Sequence, residues 1–252
     1  MSFSEANLEM GRRFARSLPT YDRAADVQRF MAERLIRLLK DETGGKRHFE
    51  RVLDLGCGTG LLFRRFRKDF DCAEAMLLDL VPECERFLRD EKDITFIVRD
   101  LDAPGNLPTA DLILSGACIQ WLRTPGELFR SVYRALPSGG LFAASAFRAG
   151  NLREIAQCGG SPLASPDDET WRSLLRDAGF RVQHYESGPH VLEFDSPRKV
   201  LEHLKKTGVM IPSLKGVPEI RSFLRKYERL CEPETGRVPL TYEPCFWIAE
   251  KE

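Results

Sequence analysis

The chain has no stretch approaching the ~20 consecutive apolar residues that a bilayer-spanning helix needs. It also has no surplus of charge of either sign, 38 basic residues facing 38 acidic ones. The first absence excludes a membrane-spanning helix. The second disfavours a nucleic-acid binder that works through bulk positive charge, while leaving room for local patches. The opening MSFSEANLEM lacks the apolar centre of a signal peptide and carries early glutamates that transit peptides avoid, so the sequence reads as cytoplasmic. The seven cysteines, at 57, 72, 84, 118, 158, 231 and 245, are odd in number and scattered, with no C-x-x-C pair. They read as reduced thiols rather than a disulfide framework or zinc cluster, and no metal is expected. Histidine is scarce, with four residues and no Ser/His/Asp arrangement.

What is present suits one globular domain: 252 residues, 42% apolar and 30% charged. Val27, Phe30, Met31, Leu35, Leu38 and Leu39 recur at i, i+3, i+4 spacing, which predicts a helix over 24–39 with one buried face, stopped at Thr43-Gly44-Gly45. From residue 51 short apolar runs alternate with helical segments, giving strands at Val52–Leu55, Met76–Leu80, Ile94–Val98, Leu112–Leu114 and Leu141–Phe147. This alternation predicts an α/β fold with a doubly wound, mostly parallel sheet. Thr124-Pro125-Gly126-Glu127 has a capping-box pattern, and Ser165-Pro166 and Ser196-Pro197 place a cap residue before a first-turn proline. Gly179 and Gly208 mark the stops of helices over 167–178 and 197–207. Extended segments follow at Arg181–Ser187, His190–Asp195 and Val238–Glu250, with a helical pair over 197–232 before the last. The expected organisation is an N-terminal helical segment, 1–47, acting as a lid, and a main domain, 48–252, whose helical insertion, 196–233, covers the site.

The most informative stretch is Val52-Leu53-Asp54-Leu55-Gly56-Cys57-Gly58-Thr59-Gly60, a buried strand running into a glycine-rich turn and then a helix. The glycines let the backbone turn tightly and approach a ligand. The dinucleotide fingerprint G-x-G-x-x-G would place its third glycine at position 61, which is Leu61; the spacing is G-x-G-x-G instead. This resembles the first motif of class I S-adenosylmethionine methyltransferases, whose ligand carries no phosphate. The resemblance implies a Rossmann-like seven-stranded sheet with S-adenosylmethionine as methyl donor. Asp79 closes the second strand, where a carboxylate accepts hydrogen bonds from both ribose hydroxyls, with Leu80 beside it. Asp100 follows the third strand and, with Leu101, resembles the family's adenine-facing acid. Asp54 resembles the acid that helps hold the amino group. Ser115 lies where the family supplies a carbonyl or small side chain to the methionine end, Gly56, Gly58 and Gly60 form the turn, and Cys57 is a small packing residue within it. Tyr21 is either an aromatic lid over the cofactor or a half-buried packing residue.

The methyl acceptor is expected past the ends of the fourth and fifth strands, near Cys118, Ile119, Gln120, Trp121, Phe147 and Arg148. Trp121 is either a wall of the acceptor site or a core residue. A carboxylate acceptor is already ionised at neutral pH and needs no general base, only alignment and an anchor. Arg148 is the best cation the sequence offers for that anchor, its other reading being a salt-bridge partner. Leu112-Ile113-Leu114-Ser115-Gly116-Ala117-Cys118-Ile119-Gln120-Trp121-Leu122, Ser196-Pro197 through His203-Leu204-Lys205-Lys206-Thr207-Gly208-Val209, and Leu240-Thr241-Tyr242-Glu243 look like the malonyl-acyl-carrier-protein O-methyltransferases of biotin synthesis. The segment Phe147-Arg148-Ala149-Gly150 departs from the family's usual Phe-Gly-Pro. The resemblance implies esterification of a malonyl carboxylate on a carrier protein, with Tyr21, Trp121 and Arg148 at the reacting end. Residues 198–229 add nine basic side chains (Arg198, Lys199, Lys205, Lys206, Lys215, Arg221, Arg225, Lys226, Arg229) against three acidic ones. Such a segment suits an acidic acyl carrier protein as partner or, equally, two solvated helices. A methyltransferase of a free small acid or other metabolite, and a non-catalytic S-adenosylmethionine-binding regulatory subunit, are the competing readings.

Overall fold

The structure, a computed structural model, describes residues 5–45, 48–209, 216–232 and 234–252. In chain order the elements are α1 (Glu5–Ala24), α2 (Asp26–Glu42), β1 (His48–Leu55), α3 (Leu61–Phe66), β2 (Asp71–Asp79), β3 (Ile94–Val98), β4 (Leu112–Gly116), α4 (Pro125–Ala135), β5 (Leu141–Phe147), α5 (Arg153–Gln157) and α6 (Asp168–Asp177). Then come β6 (Phe180–Ser187), β7 (His190–Phe194), α7 (Pro197–Lys206), α8 (Val217–Glu228), β8 (Val238–Tyr242) and β9 (Pro244–Lys251), with short 3₁₀ turns at Pro82–Phe87 and Ile119–Trp121. No described helix is long and apolar enough to cross a membrane.

Seven strands form one sheet in the order β3-β2-β1-β4-β5-β9-β6, parallel except for β9, which runs antiparallel to β5 and β6. Strand order reverses between β1 and β4, so the crevice beyond their carboxyl ends is where a sheet of this kind receives a ligand. The two-residue period of the strands divides the core. Val52, Leu112, Leu114 and Ala143 face one layer with the Val27, Met31, Leu35 and Leu39 stripe of α2. Leu53, Leu55, Ile113 and Phe142 face the other, with Leu128, Phe129 and Val132 of α4 and Trp171 of α6. There Phe129, Phe142, Trp171 and Trp247 interlock, Trp171 and Trp247 having ring centroids 5.6 Å apart.

Several sequence expectations change. α2 is a layer of the sandwich, in contact with β4, β5, β6 and β9, while among the described residues of the 1–47 segment α1 supplies most of those that lie over the strand ends. α1 runs through Pro19, which places Tyr21 inside a helix instead of in the lead-in to one. Phe30 leaves the buried stripe and stacks on His190 at 4.1 Å. Ser165 does not cap the next helix; Asp167 does, its side chain accepting from the Thr170 N–H. Thr124 and Ser196 precede their helices without a side-chain cap bond.

The expected strand over 238–250 is two strands in different sheets. β8 pairs with β7 in a separate two-stranded sheet, and β9 enters the main one. Glu243 sits at the change of sheet, buried, with its carboxylate held by Arg148 at 2.8 Å and Arg153 at 3.2 Å and its carbonyl accepting from the Arg148 N–H. This junction also brings β8 back beside α5, where buried Glu154 accepts from the N–H and hydroxyl of Thr241. Removing one member of a buried ion pair costs about 3–5 kcal/mol, and less where the partners reach solvent, as these arginines do. We expect Glu243→Ala to lower unfolding stability in urea by about 2 kcal/mol. Arg237→Ala, which breaks only exposed pairs with Glu193 and Asp195, should stay within about 0.5 kcal/mol.

Candidate active site

A cavity of about 690 Å³ opens beyond the carboxyl ends of β1, β2, β4 and β5. Its floor is the glycine turn. Gly56, Gly58 and Gly60 adopt φ of 71°, 53° and 82°, which other residues reach only with strain. A Cβ at Gly56 would stand 2.1 Å from the Cys118 Sγ, so the β1 and β4 ends approach this closely only because position 56 is glycine. The N–H groups of Gly56 and Cys57 both donate to the Leu78 carbonyl, and that of Gly58 donates to the Asp79 carboxylate at 2.8 Å. With these donors engaged, the turn is not a phosphate cradle.

Two carboxylates look into the floor. Asp54 is buried, lines the cavity, and neither of its oxygens has a hydrogen-bond partner among the described residues. Burial, and then the neighbouring Asp79, push its carboxyl up to about 8. Asp79 is likewise buried and shifted upward by burial, with the N–H groups of Val81 and Gly58 opposing the shift. A buried acid without a partner, beside a second one held only by neutral donors, calls for a ligand that brings positive charge and hydroxyl donors. S-adenosylmethionine, with its ammonium, sulfonium and ribose, fits that donor set; a phosphate-bearing dinucleotide does not.

Asp100, Leu101 and Leu80 also line the cavity. Asp100 is gripped from above by Asn7 of α1, whose amide donates to both carboxylate oxygens at 3.0 and 2.9 Å and also reaches Asp102 at 3.2 Å. Asp102 further accepts from the Arg123 N–H at 2.8 Å. Asn7 and Asp102 escaped the sequence reading: 95 residues separate them, and only the fold brings α1 across the strand ends. Asp22 was missed as well. Its carboxylate accepts from the Thr59 hydroxyl at 2.6 Å and pairs with Arg64 at 3.2 Å, fastening α1 to the glycine turn.

Tyr21 and Trp121 line the cavity as half-buried side chains, Tyr21 meeting Phe14 edge-on at 5.1 Å. The thiols of Cys57 and Cys118 are pushed upward chiefly by burial, so they remain protonated and are not nucleophiles. Three assignments move. Gly60 is not a lining residue; it starts α3 in a left-handed conformation, where a Cβ would meet Leu88 at 2.4 Å. Ser115 lies beneath the cavity with its hydroxyl tied to the Leu55 carbonyl at 2.8 Å, and its neighbours Gly116 and Ala117 form the wall. Arg148 points away, its guanidinium shared between Asp168 at 3.2 Å and Glu243 at 2.8 Å, and it does not line the cavity. The salt-bridge reading of Arg148 therefore replaces the anchor reading.

A family model described as a methyltransferase domain matches residues 23–185. The malonyl-[acyl-carrier protein] O-methyltransferase of Chlorobium phaeovibrioides is 35% identical over 264 residues, covering 100% of this chain and 99% of the relative. That of Porphyromonas gingivalis is 34% identical over 244 residues, covering 95% and 94%. The chain belongs to this methyltransferase family. The 1,6-didemethyltoxoflavin-N1-methyltransferase of Burkholderia thailandensis, solved with S-adenosylhomocysteine, shares the fold at a TM-score of 0.56 and 17% identity, covering 100% of this chain and 92% of that one. The buried acids at the ends of β1 and β2 fit, in charge and hydrogen-bonding capacity, a cationic methyl donor.

The raised Asp54 carboxyl has a signed consequence. It is protonated in both folded and unfolded chains below its ordinary range, so its contribution to stability is full there; it declines as pH rises toward about 8 and is flat above. The melting-temperature difference between Asp54→Asn and the unmodified protein, both ligand-free, is expected to grow in the variant's favour from pH 5 to pH 8. The same variant should bind S-adenosylhomocysteine at least about ten-fold more weakly, as for a lost charged hydrogen bond. A difference that is independent of pH, with ligand affinity intact, would remove Asp54 from the site.

Proposed function

We propose that this methyltransferase converts the free carboxylate of a malonyl group on an acyl carrier protein to its methyl ester. The observation that carries the reading is likeness at 35% identity along the entire chain, insertion included, to a relative named for that reaction. When bound, S-adenosylmethionine supplies a sulfonium methyl group: a carboxylate oxygen forms the new bond as the carbon–sulfur bond breaks, leaving a neutral ester and a thioether, with no proton to move. Asp54 takes the donor's ammonium, Asp79 its ribose hydroxyls, and Asp100 with Asn7 its adenine edge. Tyr21 and Trp121 close the reacting end against water.

The lining explains why no cation need hold the acceptor. Among the described residues the cations that line the cavity are Arg13, Arg99 and Arg123, each engaged by Glu9, the Pro104 carbonyl and Asp102 respectively. Neutral groups line the part bordered by β5 and β8: Phe147, Asn151, Leu152, Ser165 and Tyr242. A carboxylate loses its charge as the methyl group arrives, so a tightly paired cation would stabilise the ground state more than the transition state. Alignment and exclusion of water then supply the acceleration.

The insertion serves both as cover and as docking surface in this reading. Thr207, Gly208 and Val209, at the end of α7, line the cavity, and α7 contacts α1. Arg198, Lys199, Lys205, Lys206, Arg221, Arg225, Lys226 and Arg229 are all exposed on α7, α8 and the following turn; Lys215 lies outside the described residues. Such a surface steers an acidic carrier protein. Transfer of labelled methyl is tested with malonyl-carrier protein, acetyl-carrier protein, malonyl-coenzyme A and free malonate as acceptors. Label on the malonyl carrier and not on its acetyl counterpart is expected. Label only on a free acid would favour the metabolite reading, and S-adenosylmethionine binding without transfer the regulatory one. Lys205→Glu with Lys206→Glu should lower kcat/KM for the malonyl carrier about ten-fold at low salt, the gap narrowing as salt rises, with S-adenosylmethionine affinity unchanged.

A further inference from the structure

Two segments that resemble the family, His203 to Val209 and Leu240 to Glu243, are unaccounted for by cofactor binding, and the fold joins them. The His203 Nε2 lies 2.9 Å from the Tyr242 hydroxyl, 39 residues away, and both side chains are buried. Tyr242 lines the cavity beside Phe147, ring centroids 5.6 Å apart. His203 does not line it; it stands behind the phenol, braced by Phe194 at 5.2 Å. Burial holds the imidazole below its ordinary range, and burial, with Tyr21 adding to it, holds the phenol above its own. Both groups are therefore neutral at physiological pH.

A neutral imidazole carries one N–H and one acceptor nitrogen. When Nε2 holds the hydrogen it donates to the phenol oxygen, and the phenol O–H is released toward the cavity. In that tautomer the pair would present an oriented, uncharged donor, strengthened by the bond behind it, on a wall where the described residues offer no cation. This suits an anionic acceptor that must be held without being neutralised before the methyl group arrives. An acetyl group in the same place has no oxygen anion to receive the bond.

Resting on the reading above, we propose that Tyr242 is the substrate-contacting hydroxyl that selects the terminal carboxylate of the acyl group, and that His203 is a positioning residue that turns the phenol hydrogen toward it. The distinction between malonyl and acetyl carriers is then set by β8 and the insertion helix α7 together, which gives the insertion a part in specificity beyond covering the cavity.

The test compares equilibrium binding of malonyl- and acetyl-carrier protein to the protein saturated with S-adenosylhomocysteine, alongside steady-state methyl transfer. The unmodified protein should prefer the malonyl carrier by about ten-fold or more, as for a hydrogen bond to a charged group. Tyr242→Phe should lose most of that preference through weaker malonyl binding and a raised KM, with acetyl-carrier and S-adenosylhomocysteine affinities within about two-fold of the unmodified protein. His203→Leu should behave like Tyr242→Phe, whereas His203→Gln, which keeps an N–H near the Nε2 position, should retain the preference. Undiminished preference in Tyr242→Phe overturns the proposal, as does a parallel loss of malonyl, acetyl and S-adenosylhomocysteine binding in both Tyr242→Phe and His203→Leu, which would assign the pair to folding alone. If the unmodified protein transfers no methyl to the malonyl carrier, the substrate reading fails first and this role with it; transfer without the expected loss in the variants overturns the role alone.

Discussion

Asp54 and Asp79 lie at the ends of adjacent parallel strands, both buried, with no ion pair to either among the described residues, and much of the surrounding architecture exists to make that tolerable. A buried, uncompensated carboxylate is costly unless a ligand or hydrogen bonds answer it. The glycine turn places the Gly58 N–H on Asp79 and leaves Asp54 to an incoming positive charge. The turn in turn requires left-handed backbone at three glycines and a bare Cα at Gly56 so that Cys118 can approach. α1 completes the arrangement by locking onto Thr59 and Arg64 through Asp22 and onto Asp100 through Asn7. The same helix thus borders both the turn and the acids beyond it.

The parts legible in the sequence are those whose signal is local. Val52–Leu55 followed by G-x-G-x-G identified the strand and turn, and strand-end spacing led to Asp54, Asp79 and Asp100. The α2 stripe and the stops at Gly179 and Gly208 were equally readable, because hydrophobic period and left-handed glycines depend on near neighbours. What escaped depends on long-range pairing. Nothing near Asn7 announces Asp100, and nothing near Asp22 announces Thr59. Arg148 follows β5 directly, where an anchor for an acceptor belongs, and only the change of sheet at Glu243 shows that its guanidinium is already held. The break in the 238–250 strand is marked locally only by Glu243-Pro244; β8 and β9 share the same apolar, β-prone composition, and that the two halves enter different sheets shows only in the long-range pairing of β8 with β7 and of β9 with β5 and β6.

Electrostatics varies in stages from the floor of the cavity to the outer surface. The floor is acidic and suits a cationic donor. The wall bordered by β5 and β8 is neutral and hydrogen-bonding. The insertion outside is basic and exposed, with Lys199 and Glu202 forming one of its surface pairs. A uniform field could not serve the proposed tasks together: a cationic wall next to Asp54 would pair with the acid proposed to receive the donor, and an acidic exterior would repel the acidic carrier proposed as partner. The zero net charge of the whole chain conceals this ordering.

A reaction that joins an anion to a cation and yields two neutral products is slowed by any environment that solvates the separated charges too well. Water does so, and so would a buried arginine against the carboxylate. The fold keeps its arginines from that position by giving them other partners: Arg148 goes to Asp168 and Glu243, Arg153 to Glu243, and Arg123 to Asp102. The exposed arm of this set, Arg123 on Asp102, adds little to stability, whereas the pairs on buried Glu243 matter more. Their positions give them a second consequence, because Arg148 and Arg153 are held off the cavity lining and Arg123, which borders it, is already paired, leaving neutral hydroxyls and amides on the wall bordered by β5 and β8. On this view the buried Glu243 junction is both the point where the chain changes sheets and the reason that the wall beside Tyr242 stays uncharged.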